Sequence, residues 1–287
     1  MDFLDELAAG TLCGDGAIGT MLLDAGIPLD QCFEELCLSQ PDRIGAIHRE
    51  YIGAGARLIQ TNTFGANAVR LARFGMEDRV VEINRAAATV ARRAVSGGPI
   101  YVAGSVGPLG IDASVAAARG INRAECFAEQ ARALFDGEVD VLFLETFTTA
   151  EEMEVAYRAV KQISSAPTIC SFACLPEGRL QCGTDLTDAF ASLEEIGANF
   201  FGLNCMNDPA AMLQLIRRLP SEYRLGAYPT AGFPVTEGGR SKYPVSPSEF
   251  ARAVPELVEE GVRLIGGCCG TGPAHIAATA SAIARCE

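Results

Sequence analysis

Short, continuously apolar runs recur along the chain and alternate with longer stretches in which apolar residues return every three or four positions. The runs are Thr11–Asp15, Arg57–Phe64, Pro99–Gly107, Val139–Thr146, Pro167–Cys174, Ala198–Cys205, Arg224–Ala231 and Val262–Cys269. Unbroken rather than alternating hydrophobicity suits strands buried on both faces, as in a parallel sheet. The intervening stretches predict helices over Pro41–Gly55, Asn122–Gly137, Thr149–Ser164, Asp185–Gly197, Asp208–Leu219, Ser246–Gly261 and Thr271–Arg285. A further helical pattern, Asn67 to Ser96, breaks near Phe74–Gly75. Several of these open on Asn, Asp, Ser or Thr, whose side chains cap orphaned amides, and stop at Gly. Eight βα units predict a (β/α)8 TIM barrel forming a single domain over residues 1–287, with no linker that would split the chain. An open doubly wound sheet would carry a Gly-rich phosphate turn after its first strand. Here Gly14-Asp15-Gly16-Ala17-Ile18-Gly19 puts an acid at the centre of that turn.

Composition narrows the chemistry. A formal charge of −13 argues against nucleic-acid backbones, which are bound by Lys and Arg. No apolar run approaches the length of a membrane span, and the acidic N-terminus lacks the features of a signal peptide. A soluble, cytoplasmic protein is expected. Eleven cysteines in 287 residues fall below the density of a disulfide scaffold, and an odd number in a reducing compartment argues against pairing. Most are expected to be small buried hydrophobes.

Barrel active sites sit at the C-terminal ends of the strands. Those ends carry Asp15, Asn62 with Thr63, Ser105, Glu145 with Thr146, Cys174, Cys205, Tyr228 to Thr230, and Cys268 with Cys269. Vicinal residues on a regular strand face opposite sides, so Cys268 and Cys269 reach one centre only if the flanking glycines let the backbone depart. Together with Cys205 they offer three thiolates, a set that suits zinc with its fourth position open. The alternatives are a vicinal pair that is merely buried or a strained disulfide. Cys174 is a candidate fourth ligand, which would close the site and make it structural. Asp15 and Glu145 suit a substrate ammonium group or acid–base work; helix capping is the competing role for each. The amides of Gly16, Ala17 and Ile18 can receive a carboxylate in a backbone nest. Thr63 and Ser105 add hydroxyls there, unless they satisfy loop backbone.

Other chemistries are excluded. His48 and His275, the only histidines, are expected to be structural, which leaves neither a His-based metal site nor a serine triad. Lys161 and Lys242 are the only lysines and neither lies on a strand end, so a Schiff-base aldolase is ruled out.

Taken together, the motifs resemble the homocysteine S-methyltransferase family, which includes the homocysteine-binding domain of cobalamin-dependent methionine synthase, betaine–homocysteine methyltransferase and the S-methylmethionine-using enzymes. The matching segments are Gly14–Leu22, Thr61–Asn67, Ser105–Gly110, Leu144–Phe147, Leu203–Cys205 and Gly266–Thr271, in family order over almost the whole chain. Thr61–Asn67 and Gly226–Val235 look most like the methionine synthase branch, although Thr230 stands where that branch tends to have Asn. The resemblance implies a (β/α)8 barrel with Zn2+ on Cys205, Cys268 and Cys269. It also implies Asp15 and Glu145 on the substrate amino group, and the Gly16–Ile18 amides with Thr63 and Ser105 on its carboxylate. The implied reaction is methylation of homocysteine to methionine by a zinc-activated thiolate. The chain ends at Glu287 and holds no Asp-x-His-x-x-Gly cobalamin motif, so methylcobalamin is expected on a corrinoid partner acting in trans. S-methylmethionine or betaine is the alternative donor, and a non-catalytic zinc-binding subunit of a corrinoid complex is the reading from another class.

Overall fold

The computed structural model describes residues 3–95, 97–237 and 240–286. Eight parallel strands form the barrel: β1 (Leu12–Cys13), β2 (Leu58–Gln60), β3 (Tyr101–Val106), β4 (Val141–Phe147), β5 (Thr168–Phe172), β6 (Phe201–Asn204), β7 (Leu225–Tyr228) and β10 (Val262–Ile265). A short antiparallel hairpin, β8 (Val235–Glu237) with β9 (Arg240–Lys242), is inserted after β7. The strands pair in the order β1-β10-β7-β6-β5-β4-β3-β2. The ends of that sheet meet through a Gly14–Leu58 bridge and an Arg57 N–H that donates to the Cys13 carbonyl at 2.7 Å. The predicted (β/α)8 barrel is the observed fold.

Two apolar shells build it. Outward-facing strand residues such as Ile59, Leu142 and Leu203 pack against the helix ring. Inward-facing Leu12, Leu58, Phe143, Ile169, Tyr228 and Leu264 fill the interior. A helix over Phe3–Ala9 closes the N-terminal end, where Phe3 meets Tyr101 edge-on at 5.1 Å and stacks on Phe200 at 6.2 Å. The opposite end is left open, and the strand ends converge there.

The predicted caps form: Asn67, Asn122, Thr149, Asp185 and Asp208 each accept from a backbone amide in the first turn of the following helix. The Asn67 segment breaks at Gly75, which lies at φ 66° and ends a 3-10 turn; Ser96 at its far end lies outside the described residues. The stretch predicted as one helix, Ser246–Gly261, is instead Pro247–Phe250, a 3-10 turn over Ala251–Ala253, and Val254–Glu259. Pro255 explains the break, since it offers no amide and its ring clashes with the preceding turn. The hairpin and the short helices Phe3–Ala9, Ile18–Asp24, Leu36–Ser39 and Ala113–Ala118 went unpredicted because each is too brief to show a period.

Among the described residues, no helix is long and apolar enough to cross a membrane. His48 is fully buried in the helix over Pro41–Gly53, and burial pushes its imidazole down to about 4. His275 pins a loop to a helix start, with Nδ1 facing the Gly272 amide at 3.3 Å and Nε2 facing the Val245 carbonyl at 3.0 Å.

Candidate metal and substrate site at the barrel mouth

Three cysteines meet at the open end. Cys205 follows β6, and its amide extends the ladder by donating to the Tyr228 carbonyl at 3.0 Å. The chain then turns through two non-glycine residues in the left-handed region, Cys205 at φ 57° and Met206 at φ 53°. This conformation is uncommon for such residues and is maintained only by its surroundings. It brings the Cys205 sulfur to 3.8 Å from that of Cys269, which lies 3.9 Å from Cys268 Sγ. All three fall within 4.8 Å of one another, a group that could hold a metal ion.

Beyond β10 the backbone leaves regular strand geometry. The Gly267 amide donates to the Asp15 carbonyl and the Cys268 amide to that of Pro229, so the segment is bound on both sides. Gly270 sits at φ 81°, and a Cβ there would lie 2.1 Å from Tyr243 Cγ. Only glycine permits both the turn and the close approach of that ring. All described cysteines are free, so Cys268 and Cys269 form no vicinal disulfide. Cys174 is buried in the apolar shell outside the sulfur group. Cys182 and Cys286 are exposed, unlike the buried hydrophobes the composition suggested.

Oxygen ligands occupy the facing side. Asp15 is fully buried and accepts the Gln60 backbone N–H at 2.7 Å and Gln60 Nε2 at 3.4 Å. Glu145 is half-buried at the end region of β4 and accepts from Ser105 Oγ. Thr63 Oγ1 donates to the Ser105 carbonyl at 2.7 Å, and the Ser105 amide donates to Thr61 Oγ1 at 3.0 Å. Ala17 caps the helix over Ile18–Asp24 with no side-chain cap, and its amide reaches Thr271 Oγ1 at 3.3 Å. Asn204 ties the two sides together. Its Oδ1 accepts from the Thr146 amide at 2.9 Å and its Nδ2 donates to Thr146 Oγ1 at 2.6 Å, holding Thr146 at φ 62° directly after Glu145.

Burial sets the electrostatics. It pushes Asp15 up to about 8, against the lowering effect of the Gln60 donors. It pushes Glu145 up to about 7, where the Ser105 hydroxyl opposes the rise and Cys205 adds to it. Among the thiols, donation from Cys268 and Cys269 pulls Cys205 well below the usual thiol range, while both donors are pushed up.

A cavity of about 420 Å³ opens here, lined by Gly16, Ala17, Ile18, Thr63, Ser105, Glu145, Cys205, Cys268 and Cys269. Asp15 lies buried beside its floor, joined to the lining residue Gln60. The structure thus brings together the residues singled out at the strand ends except Cys174, Pro229 and Thr230, the last of which spends its hydroxyl on the Gly232 and Cys269 carbonyls. A larger groove of about 730 Å³ runs past Arg123, Glu151 and Cys182, and contains none of them. Sequence reasoning placed Tyr228 at a strand end without giving it a role, and it missed Gln60, Asn204 and Tyr243. Tyr228 stands across the floor, where a Cβ on Gly14 would lie 1.9 Å from its hydroxyl. That hydroxyl and Gln60 Oε1 are buried without a hydrogen-bond partner. Such orphaned groups cost about 1–3 kcal/mol each.

The family model described as homocysteine S-methyltransferase matches residues 12–283. Methionine synthase from Mycobacterium leprae is 33% identical over 305 residues, covering 100% of this chain and 25% of that protein. Methionine synthase from Mycobacterium tuberculosis is 32% identical, covering 99% and 25%. The chain therefore spans about a quarter of the length of these curated relatives. The metallated form of the homocysteine methyltransferase MmuM from Escherichia coli superposes with a TM-score of 0.76 at 27% identity, covering 95% of this chain and 96% of that one.

Proposed function

Because the chain belongs to the homocysteine S-methyltransferase family, we propose that residues 1–287 act as a zinc-dependent thiol methyltransferase barrel that converts homocysteine to methionine. The observation that carries this reading is the three-sulfur group sharing one cavity with Glu145, with the buried Asp15 carboxyl beside its floor. A tetrahedral centre with Zn–S bonds of about 2.3 Å separates its sulfurs by about 3.8 Å. Two of the separations, 3.8 and 3.9 Å, match that spacing and all three sulfurs lie within 4.8 Å of one another, so the residues fit zinc. Three protein ligands leave one position for the substrate sulfur. When bound, zinc supplies deprotonation of the incoming thiol, and three cysteinates keep that sulfur electron-rich.

The chain's own residues bind and orient. Asp15 and Glu145 hold the substrate ammonium, and the amides of Gly16, Ala17 and Ile18 receive its carboxylate. Ser105 acts on this subsite by directing Glu145, and Thr63 by bracing the Ser105 carbonyl. The new S–C bond forms as the donor–methyl bond breaks, and the electron pair of that bond leaves with the donor. No protein nucleophile takes part.

A methyl-corrinoid protein is the proposed donor, on the resemblance of Thr61–Asn67 and Gly226–Val235 to the cobalamin-dependent methionine synthase branch. A small sulfonium or ammonium donor such as S-methylmethionine or betaine is the second reading. Incubation of zinc-loaded protein and homocysteine with each donor in turn separates them. Methionine formed by protein stripped of zinc would overturn the reading as a whole.

A further inference from the structure

The neighbouring strands β1 and β10 run into two adjacent loops, the first carrying Asp15 and the second Cys268 and Cys269. Backbone pairing joins these loops as far as the Gly267 amide, which donates to the Asp15 carbonyl at 2.9 Å. Beyond that point side chains join them. Thr271, fully buried, donates from Oγ1 to the Cys268 carbonyl at 2.6 Å and accepts at the same oxygen from the Ala17 amide at 3.3 Å. Tyr51, fully buried on the helix over Pro41–Gly53, shares its one hydroxyl proton between the Ala17 carbonyl at 3.0 Å and the Thr271 carbonyl at 3.2 Å. Thr20 Oγ1 accepts from the Gly270 amide at 3.0 Å. The space between the loops is filled. A Cβ on Gly16 would lie 2.8 Å from the Tyr51 ring and 2.9 Å from Thr271 Oγ1, and one on Gly267 would lie 2.5 Å from that same oxygen.

A threonine hydroxyl has one proton to give. Here it goes to the carbonyl of a sulfur ligand, so the Cys268–Cys269 peptide is fixed against the loop that carries Asp15. Without that hydroxyl the Cys268 carbonyl would keep only the Thr271 amide at 3.1 Å. We propose that Thr271 and Tyr51 are positioning residues that bind the two loops into one unit, so that metal affinity at the three cysteines and acceptor binding beside Asp15 rise and fall together. The proposal rests on the zinc reading above. Neither side chain lines the cavity, so both act only through the carbonyls and the amide they hold. Groups that orient metal ligands from behind carry about ten- to hundredfold of metal affinity.

The test measures zinc affinity by competition with a chromophoric chelator for wild type and the variants Thr271→Val, Thr271→Ser and Tyr51→Phe. Homocysteine is then titrated into each zinc-saturated protein by calorimetry, and folding is checked by melting temperature. Thr271→Val keeps the volume and loses the hydroxyl; it is expected to weaken zinc binding roughly tenfold or more and to weaken homocysteine binding with it. Thr271→Ser keeps the hydroxyl and should hold both affinities to within about threefold of wild type. Tyr51→Phe should weaken both by less than Thr271→Val, because one shared proton is lost. Unchanged zinc affinity in Thr271→Val and Tyr51→Phe overturns the proposal, and so does weakened zinc with homocysteine binding intact, since the loops would then act separately. Equal losses in Thr271→Val and Thr271→Ser assign the effect to packing and overturn it as well. Where Thr271→Val does not fold, Tyr51→Phe decides: weakening of both ligands supports the bracket, and no change in either overturns it. Wild-type protein that takes up no zinc overturns the zinc reading itself, whereas zinc-binding wild type with indifferent variants overturns this proposal alone.

Discussion

The two sides of the barrel mouth reach their geometry by opposite means. The sulfur side, at the ends of β6 and β10, is shaped by backbone: left-handed Cys205 and Met206, and a glycine-rich departure that ends at Gly270. The oxygen side, at the ends of β1 to β4, is shaped by side chains, in which Gln60, Ser105, Thr61 and Thr63 fix the carboxyls through hydrogen bonds. A soft ligand set needs fixed distances and few donors, so strain in the chain suffices. A carboxylate in a buried site needs its lone pairs satisfied, so it needs a network. Asn204 is the strut between the two, bonded to Thr146 beside Glu145 and followed directly by Cys205.

That contrast is broken most severely on the sulfur side. Cys268→Ala is expected to drop bound zinc from one equivalent to near none and to lower methyl transfer by at least about a thousandfold, as metal analysis and methionine production will show. Retained zinc in the variant would contradict the assignment. On the oxygen side the effect divides between function and stability. Asp15→Asn is expected to raise KM for homocysteine roughly ten- to hundredfold. The same change should raise the melting temperature near neutral pH. The Asp15 carboxyl is pushed up to about 8 in the folded chain, so it favours the fold below its unfolded pKa and that contribution is lost as pH rises through 8. Asparagine cannot ionise and escapes the loss; a variant less stable than wild type at pH 7.5 would refute this account.

The pH profile sharpens the same distinction without a mutation. Asp15 and Glu145, raised to about 8 and about 7, must be ionised to hold an ammonium. Affinity for homocysteine should therefore rise roughly tenfold or more from pH 6 to 8.5. Binding of a thiol without an amine should show a shallower rise, because only the thiol must lose a proton. The smallest effect is expected from Thr63→Val. It removes the hydroxyl that braces the Ser105 carbonyl, and it should raise KM only a few-fold with zinc content unchanged.

Much of this was readable in the chain. The eight apolar runs and their capped helices carried the fold because each obeys local rules of period and capping. The cysteines and carboxylates were visible because few residue types do their chemistry and all lay at strand ends. Gln60 was not, and Tyr228 was placed at a strand end without its inward aim, since whether such a residue faces the barrel axis depends on register and strand tilt, which no single segment encodes. Asn204 was quoted within its motif but has no local signature, as its partners Thr146 and Ser171 lie on other strands. The left-handed turn at Cys205 and Met206 was invisible because neither residue favours it. The hairpin and the Tyr243 segment packed on Gly270 escaped because three-residue strands carry no readable alternation.

The ring of Tyr228 has a consequence for how this sequence can change. An added Cβ would come within 1.9 Å of its hydroxyl at Gly14 and within 2.3 Å of its ring at Gly266. One aromatic side chain on β7 therefore dictates the size of two residues, beside β1 and beside β10. Alanine at either position is intolerable while the ring is present; a smaller residue at 228 removes the objection at Gly14, whereas at Gly266 the Asp15 carbonyl oxygen still lies 2.8 Å from the added Cβ. Substitutions at 14 and 228 should consequently be strongly non-additive, and Gly266 stays closed to side chains even after the ring is lost.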